Sequence, residues 1–380
     1  MVDAVNPDGS DIESPANVAV FRVRVPLQRS QHSAHHDLID RESILVRWQR
    51  TDGHVGWGEC PTLPTPGYAT ETTAEAWSWL IGPALGSLSE TGSIPDSPAR
   101  PAALGAIRDA ALDARLRSES ISAAALFGER EQVPTTAVVA LAGGVIDEVV
   151  DRAVALAADA SALKLKVVPD SALEVARAVL DAVGPIPVAL DANGSFDPDP
   201  TAVDAERLAS LLALPLAYIE QPYPPRAPLE RWRSLAVAGD VPLAVDESAT
   251  SIGEVRTALR SGACSIVSIK PARLGGVLAA SAVADAVVEE GGTCFVGGMF
   301  ELGVGRSTAL RLAASGSCRL PTDVGPTARY VEEDITEAVG STGDGGVWVP
   351  VGPGLASAPD PERLRRWTVD HAATDRRRPD

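Results

Sequence analysis

The sequence predicts an α/β protein in which a smaller α+β region precedes a closed β/α barrel. Three observations predict it. After Val133, seven short apolar runs and a weaker eighth recur, separated by Ala-rich helical patterns, which is the rhythm of parallel β/α units. No glycine-rich phosphate fingerprint follows the first run, so a closed barrel is favoured over an open dinucleotide-binding sheet. Before Val133 the rhythm is different: apolar and polar residues alternate with period two. Residues 1–14 read as a disordered leader, 15–130 as the α+β capping region, joined by 345–380, and 131–344 as the barrel.

In the first region, "VAVFRVRVPL", "SILVRWQR" and "GHVGWGEC" read as a small antiparallel sheet, with a turn at Thr51-Asp52-Gly53. Helices are expected around 71–86 and 101–118, parted by a Pro/Ser-rich break. The barrel strands are then "TTAVVAL", "ALKLKVV", "IPVALDA", "LAYIEQP", "PLAVDES", "SIVSIKP" and "CFVGGMF", with "RLPTDVG" as the weaker eighth. The run "GGVWVPVGPGLA" is expected to return as a strand to the first region, and the "RRRPD" tail to be solvated.

Composition narrows the function. A formal net charge of −18 over 380 residues argues against nucleic acid or an anionic membrane as partner. A small anionic substrate stays open, because a pocket can be locally positive. Cys60, Cys264, Cys294 and Cys318 are scattered without a CxxC pair and read as buried reduced thiols. The polar, acidic N-terminus is no signal peptide, and no apolar run reaches the ~18 residues of a membrane span. The chain reads as a soluble cytoplasmic protein.

Chemistry gathers at the ends of the runs. Lys164 and Lys166 end the second, Asp191 and Asn193 the third, Glu220 the fourth, Asp246 and Glu247 the fifth, and Lys270 the sixth. Gly297, Gly298, Met299 and Glu301 follow the seventh. In a β/α barrel the C-terminal strand ends converge on one mouth. Asp191, Glu220 and Asp246 come at steps of 29 and 26 residues, one β/α unit each. Taken singly, each acid reads equally well as a helix cap. Together they would repel unless a cation sat among them, and hard oxygen donors suit Mg²⁺ or Mn²⁺.

Lysine is the second signal. Of 33 Lys plus Arg only Lys164, Lys166 and Lys270 are lysine, and all three fall at strand ends. Lys164 and Lys166 share strand parity, so both point into the barrel. A buried lysine is either paired with acids or used. Arginine stays charged and makes a poor base, whereas lysine can give up its proton. Bringing it from about 10.4 to 7–8 needs ~4 kcal/mol. A second cation at 4 Å supplies roughly that at an effective dielectric near 20. Lys164 and a metal are candidate sources for Lys166, and Arg273 for Lys270. The five histidines, His32, His35, His36, His54 and His371, all lie outside the barrel segment, so none is its base. "QHSAHH" reads as a polar loop, with a metal cluster or a lid over the mouth as alternatives.

Lys-x-Lys, Asp-x-Asn, Glu-Gln-Pro, Asp-Glu-Ser and Lys-Pro-x-Arg-x-Gly-Gly, in this order, resemble the enolase superfamily, muconate-lactonizing subgroup. The resemblance runs from "VGWGEC" to "GPGL" and implies an α+β capping domain on a modified (β/α)7β barrel of the TIM type. It also implies Mg²⁺ on Asp191, Glu220 and Asp246, and abstraction of a proton α to a carboxylate to give a metal-stabilised enediolate. By position Lys166 and Lys270 match the lysines on the two faces of the substrate. Lys164 matches the partner that tunes Lys166, and Asn193 and Glu247 match supporting residues. "GGMFELGVGRS" and "LPTDVGPTARYVEEDITEAV" are most similar to o-succinylbenzoate synthases, enzymes of menaquinone biosynthesis, and to N-acylamino acid racemases. The chain departs from the racemase pattern at Ser307-Thr308-Ala309. Dehydration is the first expectation and racemisation of an N-acyl or N-succinylamino acid the alternative. A muconate cycloisomerase-like or sugar-acid enzyme and a non-catalytic binding barrel are further ones. Barrels of this superfamily commonly assemble, so a homo-oligomer acting on a small carboxylate is expected.

Overall fold

The computed structural model describes residues 13–32, 37–66, 70–140, 145–355 and 357–374. The expected leader up to residue 12, the loop through His35 and His36, and the side chain of His32 lie outside the described residues.

Strands β1 (Asn17–His32), β2 (Asp37–Gln49) and β3 (Val55–Cys60) form an antiparallel sheet, with the C-terminal strand Thr368–Ala373 on the outer side of β1. Alternation along β1 and β2 gives the sheet two buried faces. Val18, Val20, Ile44, Val46 and Trp48 pack with the cap helices. Val23, Val25, Leu45 and Trp57 pack instead against Leu302, Val304, Val331 and Ile335 beyond the last barrel strand. The expected helix at 71–86 is present but interrupted: Thr73–Trp79 runs into a wide turn at Leu80–Ala84 containing Pro83, then Leu85–Glu90. Pro83 has no N–H for the helical ladder, which accounts for the break. The helix Pro101–Ser118 lies flush on β3. A Cβ on Gly56 would stand 2.1 Å from Ala114 N, and one on Gly58 2.0 Å from Ala106 O, so the Gly-x-Gly spacing of "VGWGEC" is a packing requirement.

The barrel sheet has seven parallel strands: β5 (Thr136–Val139), β6 (Ala162–Lys166), β7 (Val188–Asp191), β8 (Ile219–Glu220), β9 (Leu243–Val245), β10 (Ile266–Ile269) and β11 (Thr293–Val296), in sequence order. The eighth run forms no regular strand, but the segment 318–323 bridges the two sheet edges. On one side Leu320 N and Asp323 N donate to Cys294 O and Val296 O; on the other Thr322 N donates to Pro134 O and Thr136 N to Thr322 O. The ring therefore has eight positions, and β6 and β10 stand four apart whichever way it is counted. Ala189, Tyr218, Ala244, Ile266 and Phe295 fill the interior below the strand ends. All four cysteines are free and buried, as expected.

The C-terminal expectation needs correction. Gly346–Trp348 pairs not with the cap sheet but with β4 (Gln132–Pro134), at the entry to the barrel. The run reaches the cap only at its end, where Leu355 N donates to Asp113 Oδ1 (2.5 Å), and the returning strand is Thr368–Ala373.

Pro101–Ser118 has no side-chain cap of its own; Glu71 Oε1 instead accepts from Ala102 N and Ala103 N. Burial pushes the Glu71 carboxyl up to about 7, against the pull of those two donors. An acid raised in the folded state contributes stability below its unfolded pKa, and that contribution is lost as pH rises through the folded one. Glu71→Gln keeps an acceptor for both N–H groups. It should melt above the wild type at pH 8, with the gap closing by pH 5, in paired thermal scans.

Candidate active site

The strand ends bring Lys164, Lys166, Asp191, Glu220, Asp246, Glu247 and Lys270 to one buried end of the barrel, with Arg273 in the helical turn after Lys270. Lys166 Nζ donates to Asp191 Oδ2 (2.9 Å) and Asn193 Oδ1 (2.7 Å). Lys164 Nζ donates to Glu220 Oε2 (2.8 Å) and lies 5.1 Å above the Phe295 ring. Lys270 Nζ donates to Asp246 Oδ2 (2.6 Å), and Arg273 takes Asp246 Oδ1 (2.7 Å). Asn193 Nδ2 donates to Glu247 Oε1 (3.0 Å), linking β7 to β9. Arg273 and Lys270 thus hold opposite oxygens of one carboxylate.

Sequence reasoning missed two members. Asp323, at the end of the closing segment, accepts from Lys164 Nζ at 2.5 Å. Its signal was available, since it ends "LPTD" as the other acids end their runs, but that run carries no strand pattern. Gln221 was read only as part of Glu-Gln-Pro. Its Oε1 accepts from Asp246 N (2.9 Å) and Ser248 N (3.2 Å), and its Nε2 donates to Ser248 Oγ (2.8 Å). Gln221 therefore shapes the turn that presents Asp246. Among the described residues four non-glycines adopt positive φ, and three of them, Asn193, Gln221 and Phe300, sit at this mouth. Such backbone costs of order 1–3 kcal/mol and persists where the surroundings impose it.

The residues after β11 take different parts. A Cβ on Gly297 would lie 2.4 Å from Ser268 Oγ and 2.8 Å from Lys270 Cε, so this glycine makes room for the Lys270 stem. Gly298 stands beside Asp323 O. Both oxygens of Glu301 accept from Met299 N (2.9 and 3.0 Å), so these two residues brace their own turn. Ser307 is also internal, donating to Val304 O and accepting from Ser357 N.

Burial raises Glu220 well above the usual carboxyl range; Lys164 opposes this, while Asp191 and Asp246 add to it. Burial, then Asp246 and Asp191, push Glu247 up to about 7. Asp191 and Asp246 are held below the ordinary value despite burial, the first by Lys166 and Lys164, the second by Arg273 and Lys270. Burial pulls the Lys164 ammonium down, but Asp323 and Glu220 prevail and hold it well above the normal lysine value.

The donor set suits a hard divalent cation. Asp191 and Glu220 pair across adjacent strands, Asp246 follows the next, and Glu220 Oε1 is buried with no hydrogen-bond partner. Among the described residues no three acid, His or Cys side chains are gathered as a metal cluster. Asp191 and Asp246 are turned onto Lys166 and Lys270 instead.

Residues 148–363 match the family described as enolase C-terminal domain-like, over half of the chain. The chain belongs to the enolase superfamily. It is 34% identical over 375 residues to an N-succinylamino acid racemase of Amycolatopsis sp., covering 93% of this chain and 97% of that one. It is 27% identical over 363 residues to an o-succinylbenzoate synthase of Bacillus subtilis, covering 93% and 96%. Among solved structures, a probable mandelate racemase from Alicyclobacillus acidocaldarius superposes with TM-score 0.83 at 30% identity, covering 96% and 98%. These relatives are enzymes, and so is this protein.

Lys164→Met would leave Glu220 and Asp323 facing an apolar side chain. Breaking a buried pair in this way should cost about 3–5 kcal/mol, read as a fall in the urea midpoint. Asp323→Asn, which leaves Glu220 as partner, should cost less.

Proposed function

We propose that the protein abstracts the proton α to the carboxylate of a small anionic substrate, with Lys166 and Lys270 on opposite faces, and that the reaction is dehydration to o-succinylbenzoate. The observation that supports this most is the placement of two buried lysines four ring positions apart, each beside acids that could bind a cation. Asp191, Glu220 and Asp246 would hold Mg²⁺ (or Mn²⁺). When bound, such a cation supplies Lewis-acid stabilisation of charge developing on the substrate carboxylate.

The chain's own residues do the rest. Lys166, oriented by Asn193 Oδ1, takes the α-proton and, as an ammonium, returns a proton to the departing β-hydroxyl, so that water leaves. Lys270 stays cationic and stabilises the enediolate from the other side. Lys164, kept charged by Asp323 and Glu220, meets the substrate carboxylate. The same two lysines would serve a second reading, racemisation of an N-succinylamino acid, in which each protonates its own face. The racemase relative at 34% identity favours keeping it. The likeness to a probable mandelate racemase does not extend to a histidine base, because no histidine lies between 131 and 344.

The test incubates the purified protein with Mg²⁺ and the β-hydroxy acid precursor of o-succinylbenzoate, following dehydration by absorbance. N-succinylamino acids in ²H₂O run alongside. Dehydration that falls about 10²–10⁴-fold in Lys166→Ala is expected. Exchange without dehydration would move the function to racemisation, and silence in both would overturn the reading. Mg²⁺ alone should raise the melting temperature of the wild type saturably and leave Glu220→Gln unmoved.

A further inference from the structure

Asp109 is a buried carboxylate for which the proposed chemistry has no use. It belongs to the cap helix Pro101–Ser118, yet its Oδ1 accepts from Val277 N at 2.8 Å. Val277 opens the barrel helix Val277–Glu289, whose N-cap is Gly276, a residue with no side chain to fill that role. Asp109 therefore caps a barrel helix from the other layer of the molecule.

The fit around this bond is close. A Cβ on Gly105 would stand 2.7 Å from Gly276 N, and one on Gly276 2.9 Å from Asp109 Oδ1. Gly275 and Gly276 have φ of +87° and +117°, so the turn needs glycine for its backbone as well as for its space. Upstream stands Pro271–Leu274, a single turn of helix with Lys270 as its N-cap and Arg273 within it. The stretch from Lys270 to Val277 is thus fixed at two ends. Lys270 and Arg273 grip Asp246 at one, and Asp109 grips Val277 at the other. Lys166 depends on Asp191 and Asn193, across the ring.

We propose that Asp109 is a positioning residue for Lys270: by holding Val277 and Gly276 it fixes the turn that carries this lysine, and so sets the efficiency of the Lys270 face relative to the Lys166 face. This rests on the two-lysine reading above. A displacement of about 1 Å in a reacting group can cost on the order of 10²-fold, so a small relaxation of the turn is enough to matter.

The test uses N-succinyl-D- and N-succinyl-L-phenylalanine in ²H₂O with the Mg²⁺-loaded full chain, following α-deuterium uptake. Lys270→Ala and Lys166→Ala assign one enantiomer to each lysine. Asp109→Ala should slow exchange of the Lys270 enantiomer by on the order of tenfold more than that of the other. Asp109→Asn, whose amide oxygen can still accept from Val277 N, should restore most of the loss. Both rates come from one sample, so a partly unfolded preparation cancels in their ratio. Equal slowing of both enantiomers would reduce Asp109 to a general stabiliser and overturn the proposal. Amide hydrogen exchange is measured in parallel. In Asp109→Ala, protection should fall over 270–280 and hold over β6, and unchanged protection at 270–280 overturns the proposal whatever the substrate. A wild type that exchanges neither enantiomer counts against racemisation and leaves the dehydration reading to its own assay, and amide exchange still decides whether Asp109 holds the turn.

Discussion

Charge balance in a dry space governs this structure. Asp191, Glu220, Asp246, Glu247 and Asp323 share one buried end of the barrel with Lys164, Lys166, Lys270 and Arg273. None of these groups could be buried alone at tolerable cost, and each acid is bearable because a cation or a donor from another strand one or two ring positions away meets it. Parallel strands suit the task, since every one ends at the same level and sends alternate side chains inward. The aromatic and small side chains beneath, Tyr218 and Phe295 among Ala189 and Ala244, close the other end. Glu220, Glu247 and Asp323 each keep one buried oxygen without a hydrogen-bond partner, and burial raises the pKa of all three. An ensemble so nearly neutral, with unmet acceptor oxygens on Glu220, Glu247 and Asp323, is suited to receiving a cation and a carboxylate together.

The cap is part of the same construction. Arg41, fully buried on β2, donates to Phe300 O (2.7 Å) and Thr62 O (2.9 Å). Glu59 on β3 accepts from Leu302 N and Gly305 N (both 2.8 Å), at the start of the helix Gly303–Ala313. The loop from Gly297 to Leu302, beside Lys270 and Asp323, therefore takes its shape from the antiparallel sheet as much as from β11. The strained Phe300 backbone is held between these two contacts.

Much of the site was legible because chemistry falls where periodicity stops. Lys166, Asp191, Glu220, Asp246 and Lys270 each terminate an apolar run, and a barrel turns run ends into neighbours. Asp323 escaped because the eighth run makes single bridges and lacks the alternation that marks a strand. Asp109, Arg41 and Glu59 escaped for a different reason. Their partners lie 168, 259 and 243 residues away, and contacts of that kind leave no trace in local spacing. Backbone groups, moreover, are the same at every residue, so a side chain that bonds Val277 N or Phe300 O has no sequence complement to betray it. The C-terminal strand was misplaced because "GGVWVPVGPGLA" carries a stronger β pattern than Thr368–Ala373, which earns its place by pairing with β1 rather than by composition.

The seam at 318–323 also sets a timetable. Lys164 and Asp323 are 159 residues apart, so at 5–20 residues per second a ribosome needs roughly 8–30 s to make the second after the first. Throughout that interval the nascent sheet has an open β5 edge, and the β6 interior holds a lysine without its closing acid. An unpaired parallel edge is a template for other chains. The half-made barrel is thus the stage at which this protein most needs shielding, and closure of a few backbone bonds ends the exposure and completes the charge balance in one event.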